Sequence, residues 1–154
     1  MTSRRATVAD APVVSRIAEQ AYEPYVARMG GTRPAPMDAD YATLIVDGEG
    51  WIVEDDGGVI GFLVLVVESD GMHVEAVAVA PAHQGTGAGR HLLQLAESRA
   101  RAAGYDHLRL YTNEAMVESQ ALYERNGYLE THRAQEHGFK RVFYVKELTA
   151  DRRR

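Results

Sequence analysis

A glycine-rich segment between an apolar run and a helical pattern limits the folds open to this chain. Three glycines alternate within residues 84–90, and the apolar run before them ends at Pro81. Apolar residues then recur at helical spacing from Leu92 until Gly104 stops the pattern. Glycines let a ligand approach the backbone where a helix leaves its first amide hydrogens unpaired. The segment therefore predicts a strand, a loop and a helix that together can hold a phosphate or a diphosphate.

Two common phosphate-binding motifs do not fit these residues. A Walker A loop ends in Gly-Lys-Ser/Thr, whereas Gly89 is followed by Arg90 and His91. The dinucleotide fingerprint needs a glycine where Arg90 stands, and it normally follows the first strand of a parallel sheet. Nucleotide hydrolysis is therefore disfavoured, and a flexible loop between strand and helix stays as the alternative for this segment taken alone.

The remaining pattern alternates strands with helices around a central meander. Apolar runs over 51–54, 59–67 and 72–80 are separated by Asp-Asp-Gly-Gly and Ser-Asp-Gly turns, which predicts antiparallel strands. Asp10 is placed to cap a first helix, and a loop after Tyr22 leads to a short helix that begins at Asp38. The later pattern predicts a first strand over 4–8, a strand over 108–112, a helix over 116–125 and a terminal hairpin that includes 141–146.

The composition suits one ordinary domain and limits its partners. The 154 residues carry 17 basic and 22 acidic side chains, and this net charge of -5 disfavours binding to nucleic acid or to an anionic membrane. Cysteine is absent, which excludes thiolate metal sites and an acyl-cysteine relay, and the histidines lack zinc-site spacing. We expect a single domain over residues 1–150, a disordered basic tail at 151–154, a cytoplasmic location and no metal.

Three segments resemble one known family. Residues 77–93 are similar to the acyl-CoA-binding segment of the GNAT superfamily of N-acetyltransferases, whose signature is Gln/Arg-x-x-Gly-x-Gly/Ala after a strand. Residues 5–11 resemble the family's first strand and helix start, and residues 121–128 resemble its late helix. The resemblance covers nearly the whole chain. It implies an α/β (α+β) GNAT fold, with a mixed, mostly antiparallel sheet of six to seven strands, splayed between strands 4 and 5, and helices on both faces.

The resemblance also implies which residues meet acetyl-CoA, the family's co-substrate. The backbone of the fourth strand would pair with the pantetheine arm, and the glycine loop would hold the diphosphate. Many relatives carry an asparagine early in the late helix, where this chain has Met116, so Asn113 or Ser119 would replace that contact. The expected cofactor-binding residues are Val77, Ala78, Val79, Gln84, Gly85, Thr86, Gly87, Ala88, Gly89, Arg90, Asn113 and Ser119.

Two side chains are the expected catalytic residues. An ammonium acceptor must lose a proton before it attacks a thioester, and the leaving thiolate benefits from a proton donor. Strand alternation places Glu75 on one face with His73, Val77 and Val79, where several family members carry a catalytic glutamate. An exposed strand carboxylate is the alternative for Glu75, and His73 is the second candidate base. Tyr123 matches the tyrosine that serves as general acid in many members, with an aromatic anchor for the helix as the alternative.

The resulting hypothesis is an N-acetyltransferase that passes the acetyl group of acetyl-CoA directly to an amine of a small molecule in a ternary complex. A protein N-terminus or a lysine is the alternative acceptor, and a non-catalytic acyl-CoA sensor or a nucleotide-binding protein is the alternative class. The net charge mildly favours a cationic acceptor. The terminal strands of such folds often support a homodimer. Candidates for lining the acceptor pocket are Tyr22, Tyr25, Arg28, Arg33, Tyr41 and residues 132–139.

Overall fold

The computed structural model describes residues 1–149, and the basic tail predicted at 151–154 lies outside the described residues. Within this part of the chain, seven strands form one sheet and five α-helices surround it. The strands are β1 (Thr2–Arg5), β2 (Glu49–Asp55), β3 (Gly58–Glu68), β4 (Gly71–Val79), β5 (His107–Asn113), β6 (Leu129–Glu136) and β7 (Phe139–Glu147). The helices are α1 (Ala11–Tyr22), α2 (Pro24–Arg28), α3 (Tyr41–Asp47), α4 (Ala88–Ala102) and α5 (Val117–Arg125).

The sheet is antiparallel except at one place. Its strand order is β1-β2-β3-β4-β5-β7-β6, and β4 and β5 are the parallel neighbours. Their pairing joins Met72 and His73 to Leu108 and Arg109 and does not continue along the strands. The predicted mixed sheet, splayed between its fourth and fifth strands, is therefore confirmed, as are the central meander and the terminal hairpin.

Helices cover both faces of the sheet because β3 is apolar on both sides. Leu63 and Leu65 pack with α4 in one buried cluster, while Phe62 and Val64 pack with α1 and α3 in a second cluster. Burying each of these side chains contributes about 1.5–3 kcal/mol. A strand buried on both faces reads as a continuous apolar run, which is how this strand appears in the sequence.

The region after Tyr22 is more helical than the sequence pattern predicts. A short helix, α2, occupies the start of the predicted loop, and Pro24 stands at its first position, where a missing amide hydrogen costs no bond. Helix α3 begins at Tyr41 rather than at Asp38. Asp40 sets that boundary because its Oδ1 accepts a hydrogen bond from the Thr43 amide at 3.1 Å.

Asp10 precedes α1, but its carboxylate does not cap that helix. Arg4 donates to both carboxylate oxygens at 2.9 Å, and the Thr7 amide donates to Oδ2 at 2.8 Å. These bonds, led by that of Arg4, lower the pKa of Asp10 to about 2. The carboxylate thereby ties β1 to the start of α1, the helix that carries Tyr22 toward β4.

No helix among residues 1–149 is long and apolar enough to cross a bilayer. Within the same residues, no group of three or more His, Asp or Glu side chains is arranged to hold a metal ion.

The Arg4–Asp10 ion pair gives a pH-dependent contribution to stability. We expect Asp10→Asn to lower the free energy of unfolding at pH 7 by about 1 kcal/mol, a value discounted because Arg4 is partly exposed. The native pKa lies below the unfolded one, so the stabilisation is complete above about pH 4 and disappears as the pH falls through 2. Urea unfolding at pH 7 and pH 2.5 measures it, with Asp56→Asn in an exposed turn as the control. A difference independent of pH would contradict this account.

Candidate functional site

A groove of about 1050 Å³ lies beside the end of β4 that does not pair with β5. Its walls come from the end of β4, the glycine-rich loop, the first turns of α4, α5 with the turn that follows it, and the junction of α1 and α2. Arg90, Arg125 and Lys146 contribute positive charges, while the carboxylate of Glu97 accepts a hydrogen bond from Lys146 Nζ at 2.9 Å. The groove is therefore suited to an elongated ligand with anionic groups, despite the acidic net charge of the chain.

The glycine-rich loop presents backbone donors to this groove. Gly85 and Gly87 adopt positive φ angles of 78° and 91°, a conformation that side chains disfavour. Gly87 is the N-cap of α4, and its carbonyl accepts the first helical hydrogen bond from the His91 amide at 2.9 Å. The amides of residues 88–90 thus have no acceptor within the helix and mark its positive end. This arrangement matches the anion site that the glycine spacing predicts.

Two loop residues that were expected to bind the cofactor use their side chains elsewhere. Thr86 Oγ1 donates to the carbonyl of His83 at 2.5 Å, which fixes the loop from within. Ala88 is buried in the core cluster beneath α4. Only the main chain of these two residues is available to a ligand, whereas Gln84, Gly89 and Arg90 line the groove.

The end of β4 turns every second peptide group toward the open edge. The Ala80 amide donates to the carbonyl of Ile60 on β3 at 2.8 Å, and antiparallel alternation then directs the groups of Val77 and Val79 away from β3. The Val77 carbonyl accepts from the Tyr22 hydroxyl at 2.9 Å, and the Val79 carbonyl accepts from Gln84 Nε2 at 3.2 Å. These groups form a backbone edge to which an extended ligand can pair as an added strand.

A β-bulge sets the direction of Glu75. Val74 pairs with Leu65 and Ala76 pairs with Val64, so Glu75 is an extra residue in β4. Val74 packs with the α4 cluster, whereas Ala76 packs with the α1 cluster. The prediction that His73, Glu75, Val77 and Val79 share one face is therefore wrong, because the bulge interrupts the alternation between His73 and Val77.

Glu75 lines a second, smaller pocket of about 120 Å³ beside the groove. Tyr22, Val77 and Tyr123 line both cavities, so the two meet at these residues. The other walls of the small pocket are mostly apolar and aromatic, and they include Pro34, Pro36, Tyr41, Leu110, Tyr111, Met116 and Phe139. A ligand in the groove and a small molecule in the pocket can thus make contact at one point.

Burial shifts the pKa values of the two candidate catalytic groups upward. The Glu75 carboxylate is open to solvent through the pocket, but burial of its other sides, followed by the charge of Glu68, raises its pKa above the ordinary value. Tyr123 is 6% exposed, and its ring packs edge-on against Tyr128 and Tyr144. Burial raises the pKa of Tyr123 as well, so its hydroxyl, which is protonated at neutral pH in any case, loses its proton only at still higher pH.

A hydrogen-bonded bridge joins two walls of the groove. The carboxylate of Glu118 on α5 accepts from Arg28 Nη1 at 2.7 Å and from the Tyr25 hydroxyl at 3.2 Å, both on α2. Arg28 also lies over the Tyr25 ring, 5.0 Å from its centroid. Helix α2, which the sequence pattern does not predict, therefore contacts α5 from the opposite wall of the groove.

The remaining predicted residues divide between the two cavities. Ser119 lines the groove, but Asn113 lines the small pocket, where its Oδ1 accepts a hydrogen bond from the Ala115 amide at 2.9 Å. His73 is not among the described residues that line either cavity, and its Nε2 pairs with Asp70 Oδ1 at 2.6 Å. This placement separates the second candidate base from both cavities.

The small pocket contains residues that the sequence predicts and one charged residue, Arg141, that it does not. Tyr22, Tyr41 and Phe139, which the sequence predicts to line the acceptor pocket, do line the small pocket. Arg28 and Arg33, predicted with them, form ion pairs and are not among the described residues that line it. Arg141 lines the pocket, whereas the sequence pattern predicts only a strand of the terminal hairpin there. No local sequence signal marks it, because its position depends on the insertion of β7 between β5 and β6.

Comparisons with known proteins agree with this architecture. A sequence model of the acetyltransferase (GNAT) family matches residues 15–128. The chain is 31% identical over 133 residues to the uncharacterised N-acetyltransferase YjgM of Escherichia coli, with 81% of this chain and 80% of that protein covered.

Solved structures share the fold at lower identity. An IAA acetyltransferase from Bacillus cereus aligns with a TM-score of 0.71 at 23% identity, over 96% of this chain and 99% of that one. The yncA protein of Salmonella typhimurium, a structure described with acetyl-CoA as its cofactor, aligns with a TM-score of 0.73 at 22% identity, over 100% and 97% of the two chains.

The raised pKa of Glu75 gives a stability prediction. Folding lifts this pKa above its unfolded value, so stability is lost as the pH rises through the raised native pKa. We expect Glu75→Gln to increase the free energy of unfolding at pH 7, by up to about 1 kcal/mol, and to match the wild type near pH 4. Chemical denaturation at both pH values tests this, with the exposed Glu23→Gln as the control. A less stable Glu75→Gln protein at pH 7 would be inconsistent with this environment.

Proposed function

Since the chain belongs to the GNAT acetyltransferase family, we propose that it transfers the acetyl group of acetyl-CoA to the amine of a small molecule by direct attack in a ternary complex. The observation that carries this proposal is the meeting of two cavities at Tyr22, Val77 and Tyr123. One cavity offers backbone donors for a diphosphate, and the other offers a carboxylate for an amine. We assign both to a single domain over residues 1–150.

The groove fits acetyl-CoA by the chemistry of its donors. The positive end of α4 would hold the diphosphate, and the outward peptide groups of Val77 and Val79 would pair with the pantetheine amides. The side chains of Gln84, Arg90 and Ser119 line the same groove. Acetyl-CoA in the structural relative from Salmonella supports this assignment. The bound thioester would supply an activated acetyl group next to Tyr123.

Glu75 is the proposed base for the acceptor amine. An alkylammonium with a pKa near 10.4 must lose a proton before attack, which costs roughly 4–5 kcal/mol at neutral pH. Glu75 lines the acceptor pocket, and its raised pKa makes it a stronger base than an ordinary exposed carboxylate. The bulge that directs it into the pocket therefore has a chemical role as well as a structural one.

Tyr123 is the proposed acid for the departing thiol. The neutral amine nitrogen forms a bond to the acetyl carbon and loses its excess proton to solvent, and the carbon–sulfur bond then breaks to leave a thiolate. The Tyr123 hydroxyl is protonated at neutral pH, as a tyrosine with an ordinary pKa near 10 is, so it can give its proton to that sulfur and regain one from solvent. The oxyanion that forms in between would be stabilised by an outward backbone amide of β4, and Val77, which lines both cavities, is the proposed donor.

The catalytic assignment predicts large losses of turnover. Tyr123→Phe and Glu75→Gln should each lower kcat by about 100-fold, since general acid or base catalysis typically contributes at least that much. Free thiol released from acetyl-CoA is measured across a panel of amines, with Tyr105→Phe and Glu23→Gln as matched controls. Full rates in both variants would refute the site assignment. Acetyl-CoA binding without acceptor-dependent release in the wild type would instead favour a sensor and end the enzyme proposal.

The groove assignment predicts that one glycine matters for binding. Gly87→Ala and Gly104→Ala place the same strain, about 1–2 kcal/mol, at the two ends of α4, where both glycines have φ near +90°. Gly87→Ala should also weaken coenzyme A binding by about tenfold or more, because a shifted N-terminus misplaces the diphosphate donors. Calorimetry with coenzyme A compares the variants. Equal affinities of the two variants for coenzyme A would show that the diphosphate does not bind at the start of α4.

A further inference from the structure

The small pocket contains an opposite charge that the proposed reaction does not use. Among the described residues that line it, Glu75 and Arg141 are the charged ones. Register places Arg141 opposite Asn113, diagonal to Tyr111, and its guanidinium carbon lies 4.3 Å from the centre of the Tyr111 ring. The charge of Arg141 reaches Glu75, because it opposes the effect of burial on the pKa of that carboxylate. A ligand in the small pocket would therefore meet the charges of both Glu75 and Arg141.

Neighbouring side chains hold the guanidinium of Arg141 in place and leave N–H donors to bind a ligand. Its side chain is 11% exposed, between the rings of Tyr111 and Phe139, and Nη1 donates to Glu136 Oε1 at 3.0 Å. A planar guanidinium carries five N–H donors, arranged as a fork that matches a carboxylate. Glu136 is itself about half exposed, so it compensates the buried charge only in part.

The charge pattern and the size of the pocket together select an acceptor. A purely cationic acceptor would be attracted by Glu75 and repelled by Arg141. A molecule with an amine at one end and a carboxylate at the other would pair with both. The volume of about 120 Å³ is close to the roughly 150 Å³ of an engineered cavity that binds benzene, so the reacting end must be compact. The aromatic walls suit a short apolar substituent.

We propose that the acceptor is a small zwitterionic amino acid, whose amine lies at Glu75 and whose carboxylate is bound by Arg141. This inference rests on the proposed function and narrows its substrate class. The overall negative charge of the chain favoured a cation, but the local arginine reverses that preference within the pocket. Arg141 is then a specificity-determining residue, and it takes no part in the proton transfers.

Matched acceptors and variants test this inference. The values of kcat and KM are measured for α-, β- and γ-amino acids and for their amides, which keep the amine but lose the carboxylate charge. We expect at least one amino acid to exceed its amide in kcat/KM by about tenfold or more, as for a charge-assisted hydrogen-bonded pair. Arg141→Gln should remove most of that preference, mainly through KM, and Arg141→Lys should retain more of it. Arg133→Gln is the control that keeps the wild-type ratio, because Arg133 lies on exposed β6 and is not among the described residues that line either cavity.

The outcomes separate this inference from the proposed function. Turnover of amides at rates equal to those of the amino acids would overturn the assignment of Arg141 and leave the acetyltransferase proposal standing. An equal loss with both kinds of acceptor in Arg141→Gln would also overturn it, since that result reflects a structural role. Absence of turnover with every amine would overturn the proposed function and this inference with it.

Discussion

The limited pairing between β4 and β5 is the constraint on which the rest of the site depends. Two residues of each strand pair in parallel, and the strands then separate. If the pairing continued, the peptide groups of Val77 and Val79 would be satisfied within the sheet, and no groove would form beside them. Tyr22 and Gln84 instead bond the carbonyls of this edge. The sheet thus keeps a stretch of its interior backbone available to a ligand without exposing it fully to water.

Both cavities derive their chemistry from interruptions of regular structure. The break between β4 and β5 leaves the end of β4 open to the groove, and the bulge directs Glu75 into the small pocket. The glycines with positive φ angles expose the start of α4. The surrounding frame is tightly buried, with α4 on one face and α1 and α3 on the other. A rigid frame of this kind can hold a bulge and an unpaired edge in fixed positions, which a loosely packed sheet could not.

The parts of the fold that depend on local patterns were predictable from the sequence, and those that depend on distant pairing were not. The meander, the glycine loop and α4 follow from turn residues and helical spacing. The face of Glu75 depends on its register against β3, so strand alternation alone gave a wrong answer for His73 and Val77. Arg141 enters the pocket only because β7 lies beside β5, an arrangement that no short segment encodes. Helix α2 was missed because glycines and prolines follow it closely.

The bridge from Tyr25 and Arg28 to Glu118 makes one wall of the groove sensitive to dissolved salt. It links α2 to α5 through exposed side chains, so its strength falls as dissolved ions screen the charges. Tyr25 and Glu118 also line the groove, so this link forms part of its wall. The wall of the groove would then loosen as ionic strength rises, even where the groups that face a ligand are uncharged backbone.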